Sequence, residues 1–281
     1  MPELRSEGHR LRWLPVPGVP VARRRGGHRS GLYAVPAPRR GAPTGGCDRW
    51  DGRPPSHALT EHRVRVRFLG TAAGGGLPQW NCACTGCTLA RRTGVGRTQD
   101  CLAITGDGSA WYLVNASPDL RTQLVHAPEL APGPGLRDTP LRGVLFTSAE
   151  LDHTLGVLTL REAASLDIYA TAPVRSALEG PFPVGPILSG YTTVEWHEVV
   201  PGQPVALDGG LTVTVVTLGA KRPRYAAGLP GEDWVVAYRF VDPATGGVFG
   251  YAPCLAQWSD AFASVIEGAD AVVLDGTFMY D

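Results

Sequence analysis

The sequence has 281 residues, of which 43% are hydrophobic and 19% are charged, and its formal net charge is zero. This length supports one large domain or two smaller ones with a sizeable core. A neutral chain gives no reason to expect nucleic acid as a partner, and without about 18 consecutive apolar residues the sequence predicts no membrane span.

Residues 1–63 differ from the rest of the chain in composition. They contain 12 arginines, five acidic residues and nine of the 25 prolines, which gives them a charge of +7 and leaves −7 for residues 64–281. Such a segment, without a period of 2 or 3.6 residues, buries too little apolar surface to offset the entropy of ordering it. We predict a disordered, dispensable extension over 1–63 and a folded domain over 64–281. The alternative is an arginine-rich arm for an anionic partner.

The folded part is predicted to begin with a strand. Val64 to Leu69 alternates apolar and polar residues, and a glycine-rich run follows it as far as Pro78. Glycines there let the backbone approach a ligand or another loop closely. The run is a weak match to a phosphate-binding loop, because it lacks the Gly-Lys-Ser/Thr sequence.

Cys82, Cys84 and Cys87, half of the six cysteines, lie within six residues of one another in the chain. Three thiols this close cannot all pair as disulfides, whereas a Cys-x-Cys-x-x-Cys turn can direct three thiolates at one Zn²⁺. We predict a structural zinc ion with an unidentified fourth ligand; the alternative is a cysteine-rich loop without metal. A metal-type cluster favours a reducing compartment, so we expect a cytoplasmic protein.

The rest of the chain mixes predicted strands and helices. Strands are expected at Cys101–Ile104, Trp111–Val114, Leu141–Phe146, Ile168–Ala170, Thr193–Val200, Leu211–Val216, Trp234–Phe240, Gly247–Tyr251 and Ala271–Leu274. Helices are expected to begin at Pro118 and to cover Leu155–Ala164, with Asp152 or Thr154 as its cap, Ala172–Glu179 and Ser259–Glu267. Strands in series with a few helices predict an α/β fold of two mixed sheets with helices outside, an αββα sandwich.

Polar side chains follow the predicted strand Trp111–Val114. Asn115 and Asp119 lie at this strand end, where catalytic groups commonly gather, together with Ser117. Arg121 can neutralise a substrate carboxylate. The alternative is an Asx-turn that only begins a helix.

A second candidate for substrate contact precedes the cysteines. Gln79, Trp80 and Asn81 can line a pocket for a planar ring, with Trp80 stacking on it. The alternative is that Trp80 packs under the zinc loop.

Residues Thr147–Gly156 resemble the metallo-β-lactamase signature T-H-x-H-x-D-H-x-x-G. Ser148 and Glu150 stand in place of its first two histidines, whereas Asp152 and His153 remain. Tyr251-Ala-Pro-Cys254 lies where many relatives place a metal-bridging aspartate, and it has none. We therefore do not expect the two metal ions of a hydrolase.

Longer segments resemble one family of this fold, the coenzyme pyrroloquinoline quinone (PQQ) biosynthesis protein B family. The segments are Phe68–Cys87, Asn115–Arg121, Asp152–Thr154, Leu158–Glu162 and Leu274–Phe278. The resemblance covers the chain from about Val64 and implies a metallo-β-lactamase-like fold. It also implies a role in making PQQ from a peptide-derived Glu-Tyr precursor, beside other PQQ-biosynthesis proteins. Its members are described either as iron-dependent hydroxylases of the tyrosine ring or as carriers of PQQ or its precursor to the periplasm.

A catalytic iron is expected at Asp152 and His153. An imidazole and a carboxylate with open positions suit non-haem Fe(II) and oxygen; the alternative is a helix cap beside a buried histidine. The resemblance implies a third ligand from a C-terminal histidine, in a segment that this sequence lacks. We therefore expect a C-terminally truncated chain that binds iron weakly. His126 and His197 are expected to be surface or packing residues.

Two other functions remain as alternatives. A metal-dependent phosphodiesterase of this fold can also carry a Cys-x-Cys-x-x-Cys zinc loop, but the changes at Ser148 and Glu150 argue against a two-metal mechanism. A carrier of PQQ needs a pocket and no redox metal. The absence of a predicted membrane span favours the hydroxylase, and the oligomeric state stays open, a homodimer included.

Overall fold

The structure, a computed structural model, describes residues 12–13 and 64–275. The predicted disordered extension over residues 1–63 therefore lies outside the described residues, apart from the two-residue strand Arg12–Trp13. Most of the segment Leu274–Phe278 lies outside them as well. Among the described residues, no helix combines the length and the apolar character needed to cross a bilayer.

The first sheet has seven strands whose spatial order is their order in the chain. They are β1 (Arg12–Trp13), β2 (Arg65–Gly70), β3 (Cys101–Thr105), β4 (Trp111–Val114), β5 (Leu141–Leu145), β6 (Ser165–Ala170) and β7 (Thr193–Glu198). Strands β2, β3 and β4 are antiparallel neighbours, whereas β4 to β7 are parallel to one another. The parallel strands therefore end at one edge of the sheet, where the chain turns out into its connections.

The second sheet has five strands in the order β12-β11-β10-β9-β8. They are β8 (Pro204–Ala206), β9 (Thr212–Gly219), β10 (Val235–Val241), β11 (Val248–Ala252) and β12 (Ala271–Leu274). All neighbours are antiparallel except β11 and β12. Val236 N donates to Thr147 O at 2.9 Å, and Tyr238 Oη donates to Phe146 O at 2.9 Å. These bonds join the two sheets directly at the end of β5.

The helices lie on the outer faces of the sheets. They are α1 (Thr85–Thr93), α2 (Leu120–Val125), α3 (Leu151–Thr154), α4 (Ala172–Glu179), α5 (Val184–Leu188) and α6 (Asp260–Ile266), with 3₁₀ segments at Pro128–Leu130, Leu155–Glu162 and Arg224–Ala226. Ser259 begins α6, because its hydroxyl accepts the N–H of Phe262 at 3.1 Å.

Three groups of buried side chains hold these layers together. One lies between the sheets, where residues such as Ile104, Tyr238 and Phe249 are fully buried. The second lies between the first sheet and its helices, and the third seats α6 on the second sheet. Side chains that alternate along β3 serve the first two groups in turn, because successive residues of a strand point to opposite faces. The predicted αββα sandwich is confirmed.

The segment after β5 differs from its prediction. An α-helix was expected over Leu155–Ala164, but a short α3 ends at Thr154 and a 3₁₀ segment continues from there. Gly156 explains the tight winding, since its N–H donates to Ala116 O and an added Cβ would lie 1.8 Å from Ser117 O. Asp152 lies within α3, and the hydroxyl of Thr154 donates to Glu150 O, so neither side chain caps this segment.

Other boundaries moved by smaller amounts. The helix expected to begin at Pro118 begins at Leu120, after Asp119. The elements that were not predicted include α1, α5 and the short strands β1 and β8. The spacing of the cysteines concealed α1, because those residues were assigned only to a metal loop.

Candidate functional site

The three clustered cysteines lie in one surface loop at the start of α1. Their sulfur atoms all lie within 4.8 Å of one another. Backbone N–H groups point at these sulfurs: Gln79 N lies 3.4 Å from Cys87 Sγ, and Cys84 N lies 3.5 Å from Cys82 Sγ. Amide donors of this kind stabilise thiolate charge, so the loop has the arrangement of a zinc site with three cysteine ligands.

Hydrogen bonding acidifies one thiol of this loop, and a cationic side chain ties the loop together. Cys84 begins α1, and hydrogen bonding from Cys87 N–H, with a smaller contribution from the Cys82 thiol, lowers the pKa of the Cys84 thiol to about 7. Arg91 donates across the loop to the carbonyl oxygens of Cys82 and Gln79. Its cationic side chain closes the loop on itself.

Trp80 does not pack under the cysteine loop, which was the alternative interpretation of this residue. Its side chain is 85% exposed, so it is free to cover a ligand. Gln79 is partly buried, and its backbone O accepts from Cys82 N at 3.2 Å. The substrate-binding role predicted for both residues stays a prediction.

A chain of hydrogen bonds connects the predicted residue Asp119 to the glycine-rich run. Asp119 Oδ2 accepts from Gln99 N at 2.9 Å and from Gln99 Nε2 at 3.2 Å. Gln99 Oε1 in turn accepts from Gly75 N at 2.9 Å. An Asp119 held in this way positions the loop that precedes the cysteines.

Asn115 sits at the end of β4 in a strained conformation that fixes its side chain. Its φ of 63° lies in the left-handed region, which asparagine tolerates better than most residues. Its Oδ1 accepts from Thr147 N and from Thr147 Oγ1, each at 3.0 Å, and its Nδ2 donates to Asp100 Oδ2 at 3.0 Å. Asn115 therefore ties the ends of β4 and β5 to the start of β3.

The buried side chain of His153 lies at the centre of a polar cluster. Its Nδ1 lies 2.8 Å from Ser148 Oγ and 3.2 Å from Thr147 Oγ1. Thr147 uses its hydroxyl proton to reach the Oδ1 of Asn115, so at Nδ1 it can only accept. When the ring proton is on Nδ1, where the two hydroxyl oxygens can accept it, the lone pair of Nε2 is free to bind a cation.

Carboxylates and a thiol face the free nitrogen of His153. Asp100 Oδ2 lies 3.9 Å from Nε2, and Cys254 Sγ lies 4.0 Å from it, both too far for a strong hydrogen bond. Asp100 Oδ1 accepts from Tyr251 Oη, which belongs to β11. Burial raises the pKa of Asp100, against the opposing effect of His153 and of its two hydrogen-bond donors.

The predicted residue Asp152 contributes to the same cluster. Burial raises the pKa of the Cys254 thiol, and the nearby carboxylates of Asp152, Asp100 and Asp275 raise it further, to about 12. Gly74 makes room for Asp152, since an added Cβ there would lie 2.8 Å from Oδ2.

The residues that replace the signature's first two histidines have other roles here. Ser148 is buried and orients His153 through its hydroxyl. Glu150 is half-buried, with Oε1 3.9 Å from Lys221 Nζ, so it forms a weak ion pair.

The sequence did not reveal Asp100 or Tyr251 as members of this cluster, and it identified Cys254 only as a missing aspartate. Asp100 directly precedes β3, Tyr251 lies in β11 and Cys254 follows β11, so more than 100 residues separate Asp100 from the other two in the chain. The sequence marked Asp100 only as a polar residue next to a predicted strand, which is weaker evidence for a functional role than a motif.

The remaining predicted residues lie apart from His153. Arg121 is exposed on α2, and His126 is exposed after α2 with Nδ1 2.8 Å from Thr122 O. His197 stacks on Tyr169 and pairs with Asp167 at 3.1 Å, in a partly exposed group completed by Glu195. The interpretation of the two histidines as surface or packing residues fits these contacts.

Comparison with known proteins places this geometry in a family. Residues 110–281 match the family described as the beta-lactamase superfamily domain. Coenzyme PQQ synthesis protein B of Nitrosococcus oceani is 39% identical over 227 residues, which cover 76% of this chain and 74% of that protein. The protein of the same name from Cupriavidus necator is 41% identical over 226 residues, covering 77% and 74% of the two chains.

A solved structure agrees with these sequence relatives. The crystal structure of Zn²⁺-bound PqqB from Methylobacterium extorquens superposes with a TM-score of 0.69 and 33% identity, covering 75% of this chain and 72% of that one. The motifs quoted above, the two-sheet sandwich and these matches agree with one another. The chain belongs to the coenzyme PQQ synthesis protein B family, within the beta-lactamase superfamily.

Proposed function

We propose that this protein acts in coenzyme PQQ synthesis as an iron- and oxygen-dependent hydroxylase of the tyrosine ring of a Glu-Tyr precursor. Its family supports the role in PQQ synthesis. The observation that supports the reaction class is the position of His153 Nε2, which lies 3.9 Å from Asp100 Oδ2 and 4.0 Å from Cys254 Sγ. The hydroxyl groups of Ser148 and Thr147 contact the other ring nitrogen, Nδ1.

The residues present fit a single Fe(II). His153 supplies neutral nitrogen, Asp152 supplies anionic oxygen, and this combination with open positions is the type of first shell used by non-haem iron oxygenases. Bound there, iron supplies the activation of oxygen. Ser148 and Thr147 hold the imidazole in the tautomer that leaves Nε2 unprotonated.

The chain's other predicted residues are assigned to positioning and to substrate. Asn115 holds Asp100 and Thr147, and Asp119 holds Gln99 and through it the glycine-rich run. We assign Trp80 to stacking on the tyrosine ring of the precursor, with Gln79 beside it, because its indole is exposed. Arg121 then pairs with a substrate carboxylate.

We further propose that Cys82, Cys84 and Cys87 hold a structural zinc ion. Their sulfur atoms are close enough to share one ion, and a solved relative is a zinc-bound protein. Among the described residues, no fourth histidine, cysteine, aspartate or glutamate has a ligand atom within 4.8 Å of all three sulfur atoms.

Anaerobic reconstitution with Fe(II), followed by oxygen and a Glu-Tyr peptide, tests the hydroxylase. The protein should consume oxygen and add the mass of oxygen to the tyrosine ring, as read by mass spectrometry. His153→Ala and Asp152→Asn should abolish both signals, whereas His126→Ala should retain them because that ring lies on the surface after α2. Full hydroxylation by His153→Ala would show that the reaction centre lies elsewhere.

The same preparation separates the alternatives. Tight binding of PQQ without iron and without oxygen uptake would support a carrier. Hydrolysis of a cyclic phosphate ester in the presence of zinc would support a phosphodiesterase.

A further inference from the structure

We propose that Asp100 and Cys254 are additional ligands of the metal at His153 and Asp152, so that this chain supplies a mixed oxygen, nitrogen and sulfur site. This inference rests on the proposed function, because it concerns the same metal. It adds two ligands that neither the metallo-β-lactamase signature nor the resemblance assigns.

Distance is the first argument. Asp100 Oδ2 and Cys254 Sγ lie 3.9 and 4.0 Å from His153 Nε2, whereas ligands of one ion stand about 3.0–3.6 Å apart when their bonds are about 2.0–2.3 Å long. Asp100 Oδ2 and Cys254 Sγ stand more than 4.8 Å from each other, so a contraction of about one ångström would bring all three atoms around one ion, with these two on opposite sides of it.

Hydrogen bonding to Asp100 is the second argument. Tyr251 Oη donates to Oδ1 and Asn115 Nδ2 donates to Oδ2, so donors hold both oxygens and aim the carboxylate. The remaining lone pair of Oδ2 faces an imidazole nitrogen that is itself a lone-pair donor. Two such atoms repel each other unless a proton or a metal cation lies between them. Metal-binding carboxylates are commonly oriented by hydrogen bonds in this way.

The position of Cys254 is the third argument. It follows β11, in the place where relatives of the metallo-β-lactamase fold carry a bridging aspartate, and its sulfur is partly buried. Thiolate is a strong ligand for divalent ions of the first transition row. With four protein ligands, a six-coordinate ion keeps two positions for other groups.

Cobalt spectroscopy tests the sulfur ligand without any use of activity. The full chain is first given one equivalent of zinc to fill the cysteine loop, and Co²⁺ is then added. The difference spectrum between the parent and Cys254→Ser should contain a sulfur-to-cobalt charge-transfer band. Cys101→Ser is the matched control, because its sulfur lies in the core and contacts Asn115 O, so it should leave the spectrum unchanged.

Affinity tests the oxygen ligand. Asp100→Asn should weaken the binding of Co²⁺ by at least about tenfold, since loss of groups that only orient ligands already costs 10–100-fold. Circular dichroism verifies that the variants are folded. If either variant does not fold, X-ray absorption at the iron edge of the parent protein gives the answer, because a sulfur neighbour at about 2.3 Å is required.

The outcomes separate this inference from the proposed function. If His153→Ala loses the metal but the Cys254→Ser difference spectrum is featureless and Asp100→Asn binds normally, the two additional ligands are wrong and the iron site stands. If His153→Ala keeps its metal at this site, the proposed function fails as well. An iron-edge spectrum without sulfur excludes Cys254 directly.

Discussion

The cysteine loop and the His153 cluster are two candidate metal sites built in opposite ways. The loop takes its three sulfurs from six consecutive residues, all at the surface end of α1. The His153 cluster takes its groups from the start of β3, the ends of β4, β5 and β11, and α3. A local site needs only a short piece of chain to form, whereas the buried site needs both sheets in register.

Electrostatics separates the two sites as well. Hydrogen bonding from backbone N–H groups lowers the pKa of Cys84 to about 7, while burial and neighbouring carboxylates raise that of Cys254 to about 12. Cys84 therefore loses its proton near neutral pH, whereas a metal that binds Cys254 has to displace the thiol proton.

The largest effect is expected from the loop, through Cys84→Ser. Serine keeps an oxygen that can cap α1, so the change isolates the loss of a zinc ligand. Zinc content should fall from one per chain to near zero, and amide hydrogen exchange in α1 should become about a thousandfold faster, because structural zinc contributes several kcal/mol to local folding.

Exchange in β3 and β4 provides the internal control for that experiment. Those strands are buried in the sandwich and should keep their protection. Global unfolding of Cys84→Ser, or full retention of zinc, would contradict the description of the loop as an independent local site.

The next largest effect is expected at Asn115, where the buried site depends on the fold. Asn115→Ala should lower the free energy of unfolding by about 2–4 kcal/mol, since it leaves Thr147 N buried without its acceptor and places alanine at a φ of 63°. Urea unfolding measures the change. Asn115→Gly should cost about 1 kcal/mol less, because glycine accepts this φ.

Asn81→Ala is the matched control. Asn81 is exposed in the cysteine loop, and its loss should change the free energy of unfolding by less than about 0.5 kcal/mol. Equal costs at the two asparagines would mean that the strand-end network does not stabilise the sandwich.

The same contrast explains what the sequence could predict. The spacing of Cys82, Cys84 and Cys87 predicted their proximity, and alternation or short apolar runs predicted nearly all strands of both sheets, because these signals are local. Asp100 and Tyr251 carried no such signal, since their proximity depends on how β3 and β11 pack together. The 3₁₀ segment after Thr154 was missed for a similar reason: contact between Gly156 and the chain at Ser117 sets its winding.

A smaller effect is expected from the ionisation of Asp100 in the metal-free protein. Its pKa is raised by burial, so the folded state holds a proton that the unfolded chain loses above about pH 4. The contribution of Asp100 to stability is therefore greatest at low pH and falls as pH rises towards the raised pKa.

Asp100→Asn removes this dependence and serves as the reference. The free energy of unfolding of the parent minus that of Asp100→Asn should decrease as pH rises above 4, which urea unfolding at several pH values measures. An increase with pH would indicate that the carboxylate is stabilised as an anion even without metal.

The smallest effects on stability are expected from changes at two glycines, Gly74 beside the His153 cluster and Gly86 in the cysteine loop. Gly74→Ala places a Cβ 2.8 Å from Asp152 Oδ2, so this carboxylate must move while the backbone stays unstrained. Binding of the metal at His153 should weaken by about tenfold, the lower end of the effect expected when the support of a ligand is disturbed. The free energy of unfolding should change by less than about 1 kcal/mol, because the site of the change is exposed.

Gly86→Ala is the matched change in the cysteine loop, because an added Cβ there meets no atom within 4 Å. Alanine in place of this helical glycine should stabilise α1 by about 0.5–1 kcal/mol and leave the affinity at His153 unchanged. Isothermal titration with Co²⁺ on zinc-loaded protein measures both variants. If Gly74→Ala binds as tightly as Gly86→Ala, Asp152 is not held where the metal needs it, and the glycine-rich run does not support the buried site.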